Sequence, residues 1–468
     1  MNAIETPAKQ RWVRLLIIGL GTLLGPLDSA VNIAFPDITH SFQIPLQSIR
    51  WVVIAFVATY ASLMLVFGRI GDLFGHHRVF GIGLAICIVS FFLCSFATAF
   101  EWLLVCRFFQ GVGTAMVLSC GPALATNLFS EEVRPRVLGG YAMMFGLGGA
   151  IGPTLGGFLV DIWGWPAVFW FRLPIALIAL VLFFVVRLPS PARASGSFDM
   201  AGAMLLTAAT GLLLLTFSQL QLAGTQPVFI MGLCATTIIA IIAFVRRCRR
   251  SETPVIDLNV FGNVAFAWIN MTNVIVNLVA FAVMLFVPYF LVRVSDLPLW
   301  LGGLVMATGP LGMMAAANLG GRMAPRLGAN RLAFAGACLI AMATALISRW
   351  SVASPPSMLT ASLLVHGVGL GLFQVGCLEI VATVLPKTSR GVAGSLAMVM
   401  RTIGVVLAAS ILTIVFTGID ESTAARGVAN SFVIGFQTTF FIVAIALFAY
   451  IGISCLRPSL WFGKISRS

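Results

Sequence analysis

Fourteen apolar stretches follow one another along the chain, separated by short polar breaks. Their approximate limits are 12–35, 48–67, 79–100, 102–127, 137–160, 166–186, 200–219, 227–245, 264–291, 299–319, 331–349, 357–384, 391–417 and 430–455. An apolar run of about 20 residues crosses the hydrocarbon core of a bilayer as a helix. The pattern therefore predicts an all-α polytopic membrane protein with fourteen transmembrane helices. The first run follows Lys9, Arg11 and Arg14 and is too long for a signal-peptide core, so it reads as a spanning helix. The breaks leave no room for a soluble domain.

Composition agrees. The chain has 468 residues, 60% hydrophobic and 9% charged, with a mean hydropathy of +1.04, whereas a soluble domain carries about 25% charged residues. The net charge of +13 would suggest nucleic acid, but placing the charges removes that reading. Of the 28 Lys and Arg residues, 21 fall on the side of the N-terminus, among them Arg69, Arg78, Arg134, Arg136, Arg246, Arg247, Arg322, Arg331 and Arg457. By the positive-inside rule both termini are expected in the cytoplasm. All ten tryptophans lie near predicted helix ends, as an interfacial belt requires. The nine cysteines lie in apolar segments or on the cytoplasmic side, so no disulfides are expected, and none has metal-ligand spacing.

The chain repeats itself. Gly68, Arg69, Gly75 and Arg78 recur as Gly321, Arg322, Gly328 and Arg331, each 253 residues on. Arg136 matches Arg390 at an offset of 254. Predicted helices 1–6 thus recur as helices 9–14, with helices 7 and 8 inserted. This implies three units: an N-terminal six-helix bundle at 1–190, an inserted pair with a basic linker at 191–255, and a C-terminal six-helix bundle at 256–468. Two parallel-repeat halves with a path between them are a transporter architecture.

Predicted helix 5 holds the sequence GLGGAIGPTLGG at Gly146–Gly157. Gly148, Gly152 and Gly156 recur every fourth residue and share one helix face, with Gly157 beside them. Small residues at that spacing let helix backbones approach closely within lipid. Pro153 removes one backbone donor, so a bend is expected there.

These motifs resemble those of the major facilitator superfamily, specifically its fourteen-helix drug/proton antiporter group. The loop GRIGDLFGHHR at Gly68–Arg78 is similar to the family signature between helices 2 and 3. The glycine stretch resembles the helix 5 antiporter motif, and the run Arg107 to Gly113 resembles the helix 4 motif. The run Leu27 to Pro36 is similar to the helix 1 motif of the group, and Met400 to Gly404 to its helix 13. Arg172 stands where the group commonly has Asn, and Pro325 where the acidic Asp72 would repeat. The resemblance implies a major facilitator fold, alternating access driven by a proton gradient without a cofactor, and a seam role for the glycine stretch. It also implies that Gly68, Arg69, Asp72, Gly75 and Arg78 gate the cytoplasmic side, with Asp72 facing the start of helix 13 near Gly391.

The ionisable residues within the spans are the functional candidates, because a charge there is costly. Asp28 lies 16 residues beyond Trp12, about 24 Å along a helix. Arg107 lies 5 residues past Trp102, about 7.5 Å in from the opposite side. The two share a depth. Burial favours the neutral acid and a nearby guanidinium favours the carboxylate. Asp28 is therefore the candidate proton carrier, with Arg107 and Gln110 orienting it; the alternative is a fixed structural pair. Asn32 is a cavity candidate on the same helix. Asn270, Asn273 and Asn277 share one face of helix 9, where they either bind substrate or bond neighbouring helices. Glu379 and Arg401 have depths close enough to pair. Arg172, near the outer boundary, is expected to snorkel. His76 and His77 read as loop residues.

Three functions are open at this point. The first is proton-coupled export of small amphipathic molecules, whose charge can be cationic. The second is import or export of one specific metabolite on the same scaffold. The third, a membrane enzyme, lacks a cluster of acids, histidines or metal ligands at one surface. An ATP-driven pump needs a Gly-Lys-Ser/Thr P-loop, and here Gly463-Lys464 is followed by Ile465. The expected partners are protons, lipid and a small-molecule substrate, not nucleic acid. The chain is expected to work as a monomer in a bacterial plasma or inner membrane.

Overall fold

A computed structural model describes residues 8–44, 46–127, 129, 132–186, 198–220, 227–252, 254–255, 262–295, 297, 299–384, 390–425 and 430–462. All regular secondary structure among them is helical. The long helices are α1 (Ala8–Leu23), α2 (Arg50–Phe74), α3 (His76–Ser95), α4 (Phe100–Asn127), α5 (Arg134–Trp163), α6 (Arg172–Val186), α7 (Met200–Leu220), α8 (Pro227–Arg250), α9 (Val264–Arg293), α10 (Leu299–Leu327), α11 (Ala329–Ile347), α12 (Pro356–Val384), α13 (Arg390–Ala425) and α14 (Ser431–Cys455). Among the described residues, eleven segments are long and apolar enough to cross a membrane. Helices α7, α10 and α13 fall outside that set, although α7 and α13 carry apolar cores at Met200–Leu213 and Leu396–Val405. Much of the predicted loop charge, including Arg187, Arg193 and Lys387, lies outside the described residues.

The first predicted span is not one helix. Gly25 and Pro26 interrupt it after Leu23, because proline lacks a donor and its ring clashes with the preceding turn. A 3-10 turn at Pro26–Ser29, a short helix at Ala30–Ile33 and another at Phe35–Phe42 follow. This broken stretch packs against α5. A Cβ on Gly148 would lie 2.7 Å from Pro26 Cγ, and one on Gly156 would lie 2.8 Å from Ala30 Cβ. A Cβ on Gly152 would collide with Ser29 Oγ. Helix α5 runs through Pro153 to Trp163, and Gly164, at φ +72°, ends it.

The repeat is visible in the backbone. Gly75 joins α2 to α3 at φ +102°, and Gly328 joins α10 to α11 at φ +87°. Both sit in a region that only glycine enters without strain. His76 and His77 are not loop residues: they open α3 directly after that turn.

The first and second groups of helices meet along two seams, α5 against α10 and α2 against α13. On the α5 seam the backbones nearly touch. A Cβ on Gly139 would lie 2.5 Å from Ala317 O, and one on Gly321 would lie 2.7 Å from Pro135 O. Helices α7 and α8 pack on one another, with Thr216 and Thr237 hydroxyls 2.8 Å apart, and α7 leans on α2.

Candidate functional site: a carboxylate on a broken helix

The break in the first span turns Asp28 toward α4 and α6. Arg107 grips it with both terminal nitrogens: Nη1 donates to Oδ1 at 2.6 Å and Nη2 to Oδ2 at 2.8 Å. The amide of Gln110 donates to Oδ1 at 2.8 Å and also accepts from Arg107 Nη1 at 2.8 Å. Arg107 Nε donates to Val52 O at 3.0 Å, which anchors the fork to α2. The structure thus brings Asp28, Arg107 and Gln110 together. Charge-assisted, bidentate contacts of this kind are the strong class of hydrogen bond.

A fourth member was not foreseen. Arg172 does not snorkel. It is fully buried, and its Nη1 donates to Asp28 Oδ1 at 2.8 Å. Its Nε donates to Val168 O at 2.8 Å, and its guanidinium stacks 4.6 Å from the Phe91 ring centroid. Arg172 opens α6 directly after the short helix Ala167–Trp170, and its side chain points into the bundle rather than out to the interface. Its only sequence signal was the departure from the Asn common in the group.

The other candidates separate. Glu379 does not pair with Arg401. Its carboxylate binds Arg134 at the start of α5, with Arg134 Nη2 at 2.6 Å and Nε at 3.1 Å from Oε1. Arg134 also donates to Thr383 Oγ1 at 2.7 Å. The pair joins the two sides of the α5 seam and is largely shielded from solvent. Equal depth was not enough to predict the Arg401 pairing, because rotation about the helix axis decides which residues face. Arg401 instead lies over the Phe145 ring at 4.2 Å.

Of the three asparagines, Asn273 bonds a neighbouring helix, whereas Asn270 and Asn277 bond within α9 and Asn270 Oδ1 is buried without a hydrogen bond among the described residues. Asn273 Nδ2 donates to Ala397 O of α13 at 2.7 Å, Asn277 to Asn273 Oδ1 at 2.8 Å and Asn270 to Phe266 O at 2.9 Å. All three are buried. Asn32 is exposed on the short helix after the break.

In the loop motif Asp72 is buried and lies 3.1 Å from His76 Nε2. Gly68 is buried, Arg69 half-buried and Arg78 exposed. The side-chain surroundings of Gly391, the expected neighbour of Asp72, lie outside the described residues. The glycine stretch also differs from expectation. Gly148, Gly152 and Gly156 face the broken first span, and Gly157 lies near Ile33, all within the N-terminal group. Only Gly146, with Gly139 a helical turn and more before the stretch, faces α10 across the seam.

A polytopic helical bundle with these seams and a caged intramembrane acid has a matching family. The Major Facilitator Superfamily profile matches residues 17–409. The chain belongs to the major facilitator superfamily. It is 28% identical over 444 residues to the riboflavin transporter RibZ of Clostridioides difficile, covering 94% of this chain and 96% of that protein. It is 27% identical over 400 residues to the multidrug resistance protein Stp of Mycobacterium tuberculosis, covering 85% and 74%. Among solved structures, the human organic anion transporter MFSD10 superposes with a TM-score of 0.64 at 17% identity, covering 95% of this chain and 100% of that one. The proton:xylose symporter XylE superposes with a TM-score of 0.61 at 13% identity, covering 95% and 97%. These likenesses establish the fold. Family and fold are those of transporters, which agrees with the absence of an enzyme-like cluster in the sequence.

Proposed function

We propose that this protein is a proton-coupled antiporter of the fourteen-helix drug/proton group, exporting small amphipathic molecules by alternating access. In this reading α7, α10 and α13 also span the membrane, both termini are cytoplasmic, and the halves at 1–190 and 256–468 rock about the α5 and α2 seams. The monomer suffices, in a bacterial plasma membrane.

The observation that carries the proposal is the cage of Arg107, Arg172 and Gln110 around Asp28. The carboxylate holds the broken span to both α4 and α6. A proton arriving on Asp28 removes its charge and weakens both ion pairs at once. That frees the span to shift relative to α4 and α6, so proton occupancy and helix packing are linked. A proton moving inward supplies about 2.3 kcal/mol per 100 mV, before any pH difference. Arg134 and Glu379 hold the α5 seam shut on one side, and the close backbones at Gly139 and Gly321 seal it further. On the predicted topology that side is cytoplasmic, so breaking this latch admits substrate from inside.

The glycine face supports the coupling. By letting the broken span sit against α5, it places Asp28 within reach of both guanidiniums. Similarity to Stp, named a multidrug resistance protein, favours a broad substrate range. Similarity to RibZ, named a riboflavin transporter, favours a single metabolite instead.

A susceptibility panel in an efflux-deficient host, wild type against Asp28→Asn, tests the proposal. Broad resistance that disappears in the variant supports it. Resistance to no compound, or equal resistance in the variant, overturns it. A profile confined to one compound class moves the assignment to the dedicated carrier.

A further inference from the structure

Among the described residues Arg401 has no acidic partner. Its Nη1 is shielded from solvent and makes no hydrogen bond among the described residues. The intramembrane acids nearest in the fold are engaged elsewhere, Asp28 by Arg107 and Arg172, and Glu379 by Arg134. A cation within a span that lacks an acidic partner is expensive. It persists where something else supplies the counter-charge.

The place is the seam itself. Arg401 stands on α13, beside the α2 seam, and covers Phe145 of α5 in the facing group of helices at 4.2 Å. Tyr60 of α2 lies within electrostatic range of both Arg401 and Asp28, and Thr402, next to Arg401, donates its hydroxyl to Met398 O at 3.0 Å. Tyr60 packs on Phe56 at 5.1 Å, and Arg107 covers that ring at 4.4 Å. One aromatic strip therefore runs from the caged carboxylate to the free guanidinium. The charge along it does not balance. Asp28 carries one negative charge against two guanidiniums, Arg172 Nη2 is itself buried without a hydrogen bond, and Arg401 adds a third positive charge.

We propose that Arg401 is the specificity-determining residue of the seam, and that it selects amphipathic aromatic substrates bearing an anionic group such as a carboxylate. The guanidinium takes the anion, the Tyr60 hydroxyl is placed to share it, and Phe145 and Tyr60 offer aromatic contact to the ring. A cationic ligand finds no free acid there, because Asp28 already receives hydrogen bonds from three side chains. This deepens the transport reading by naming the substrate class, and it replaces the expectation of cationic cargo. It rests on that reading for the direction of movement, but binding can be measured without transport.

The test uses two probes with the same ring and opposite charge, 1-naphthoate and 1-naphthylmethylammonium, in equilibrium dialysis against the purified full chain at neutral pH. Wild type should bind the carboxylate about tenfold or more tighter than the ammonium, the scale expected for a charged hydrogen-bond partner. Arg401→Gln should lose that preference, and Arg401→Lys should retain part of it. Equal binding of the two probes by wild type, or preference for the ammonium, overturns the proposal whatever the variants do. So does an Arg401→Gln protein of native thermal midpoint that still prefers the carboxylate. If Asp28→Asn abolishes gradient-driven export while wild type keeps its anion preference, the two readings stand separately. If export fails and the preference remains, only the export reading falls.

Discussion

Arg172 Nη1 lies 2.8 Å from Asp28 Oδ1, so one carboxylate is the shared counter-ion of two buried guanidiniums. Removing the acid should therefore cost more than removing the second base. In Asp28→Asn, Arg107 and Arg172 are left facing each other, and breaking a buried pair of this kind costs about 3–5 kcal/mol. Adding Arg172→Asn should recover part of that loss, because the sites share a partner and their effects cannot add. Thermal unfolding in detergent reads the stability. Proton-gradient-driven movement in vesicles should be absent from both variants, and undiminished movement in Asp28→Asn would remove Asp28 from the coupling.

Arg134 and Glu379 clasp the α5 seam. Glu379→Gln should weaken the closed seam by about 3–5 kcal/mol, and the exchange of the two residues, Arg134→Glu with Glu379→Arg, should restore much of it. Hydrogen–deuterium exchange reads this directly. Amides of 134–146 and 310–321 should exchange faster in Glu379→Gln and return toward wild-type rates in the exchanged pair. Unchanged protection in the single variant would show that the backbone packing at Gly139 and Gly321 alone holds the seam.

Two glycines one helical face apart offer a matched comparison. A Cβ at Gly152 collides with Ser29 Oγ, whereas a Cβ at Gly149 meets nothing within 4 Å. Gly152→Leu should displace the broken span and abolish transport, at a packing cost of about 1–3 kcal/mol or more. Gly149→Ala should leave transport intact. Membrane insertion of both is checked by surface labelling, and equal transport by the two variants would make the glycine face a passive feature.

Asp199, just before α7, provides a pH handle outside the spans. Burial raises its carboxyl, but hydrogen bonds from Arg247 and the Gly202 amide outweigh burial and hold it below the usual carboxylate range. Arg247 Nη2 lies 2.9 Å away. A depressed carboxyl adds stability above its unfolded value of about 3.9 and loses it as pH falls through the folded value. The thermal midpoint should drop as pH is lowered below about 4. Asp199→Asn should shrink that drop, by a modest amount because Arg247 is partly exposed and screened.

Much of this protein could be read from order along the chain. Apolar length marked the helices, and the Gly75 and Gly328 repeat announced a doubled fold whose two turns share positive φ. Residue depth brought Asp28 and Arg107 to one level, since rise per residue is fixed in any helix. Depth misled for Glu379 and Arg401, where azimuth decides. It also hid Arg134, which reads as one more loop charge until α5 and α12 are seen side by side. Arg172 read as interfacial because a position near a span's end does not show which way the chain enters.

What the sequence by itself determined is the set of helices, their repeat and the residue types that a low-dielectric interior makes conspicuous. These follow from local rules, hydrocarbon thickness, helical rise and the cost of burying charge, that act on neighbours in the chain. Only the tertiary structure decided the partners: Arg172 joins Asp28, Arg134 takes Glu379, Asn273 bonds α13, and Arg401 is left over. Pairing depends on the rotation of each helix about its axis and on where a helix breaks. Both are set by packing between segments more than a hundred residues apart, which no local pattern records.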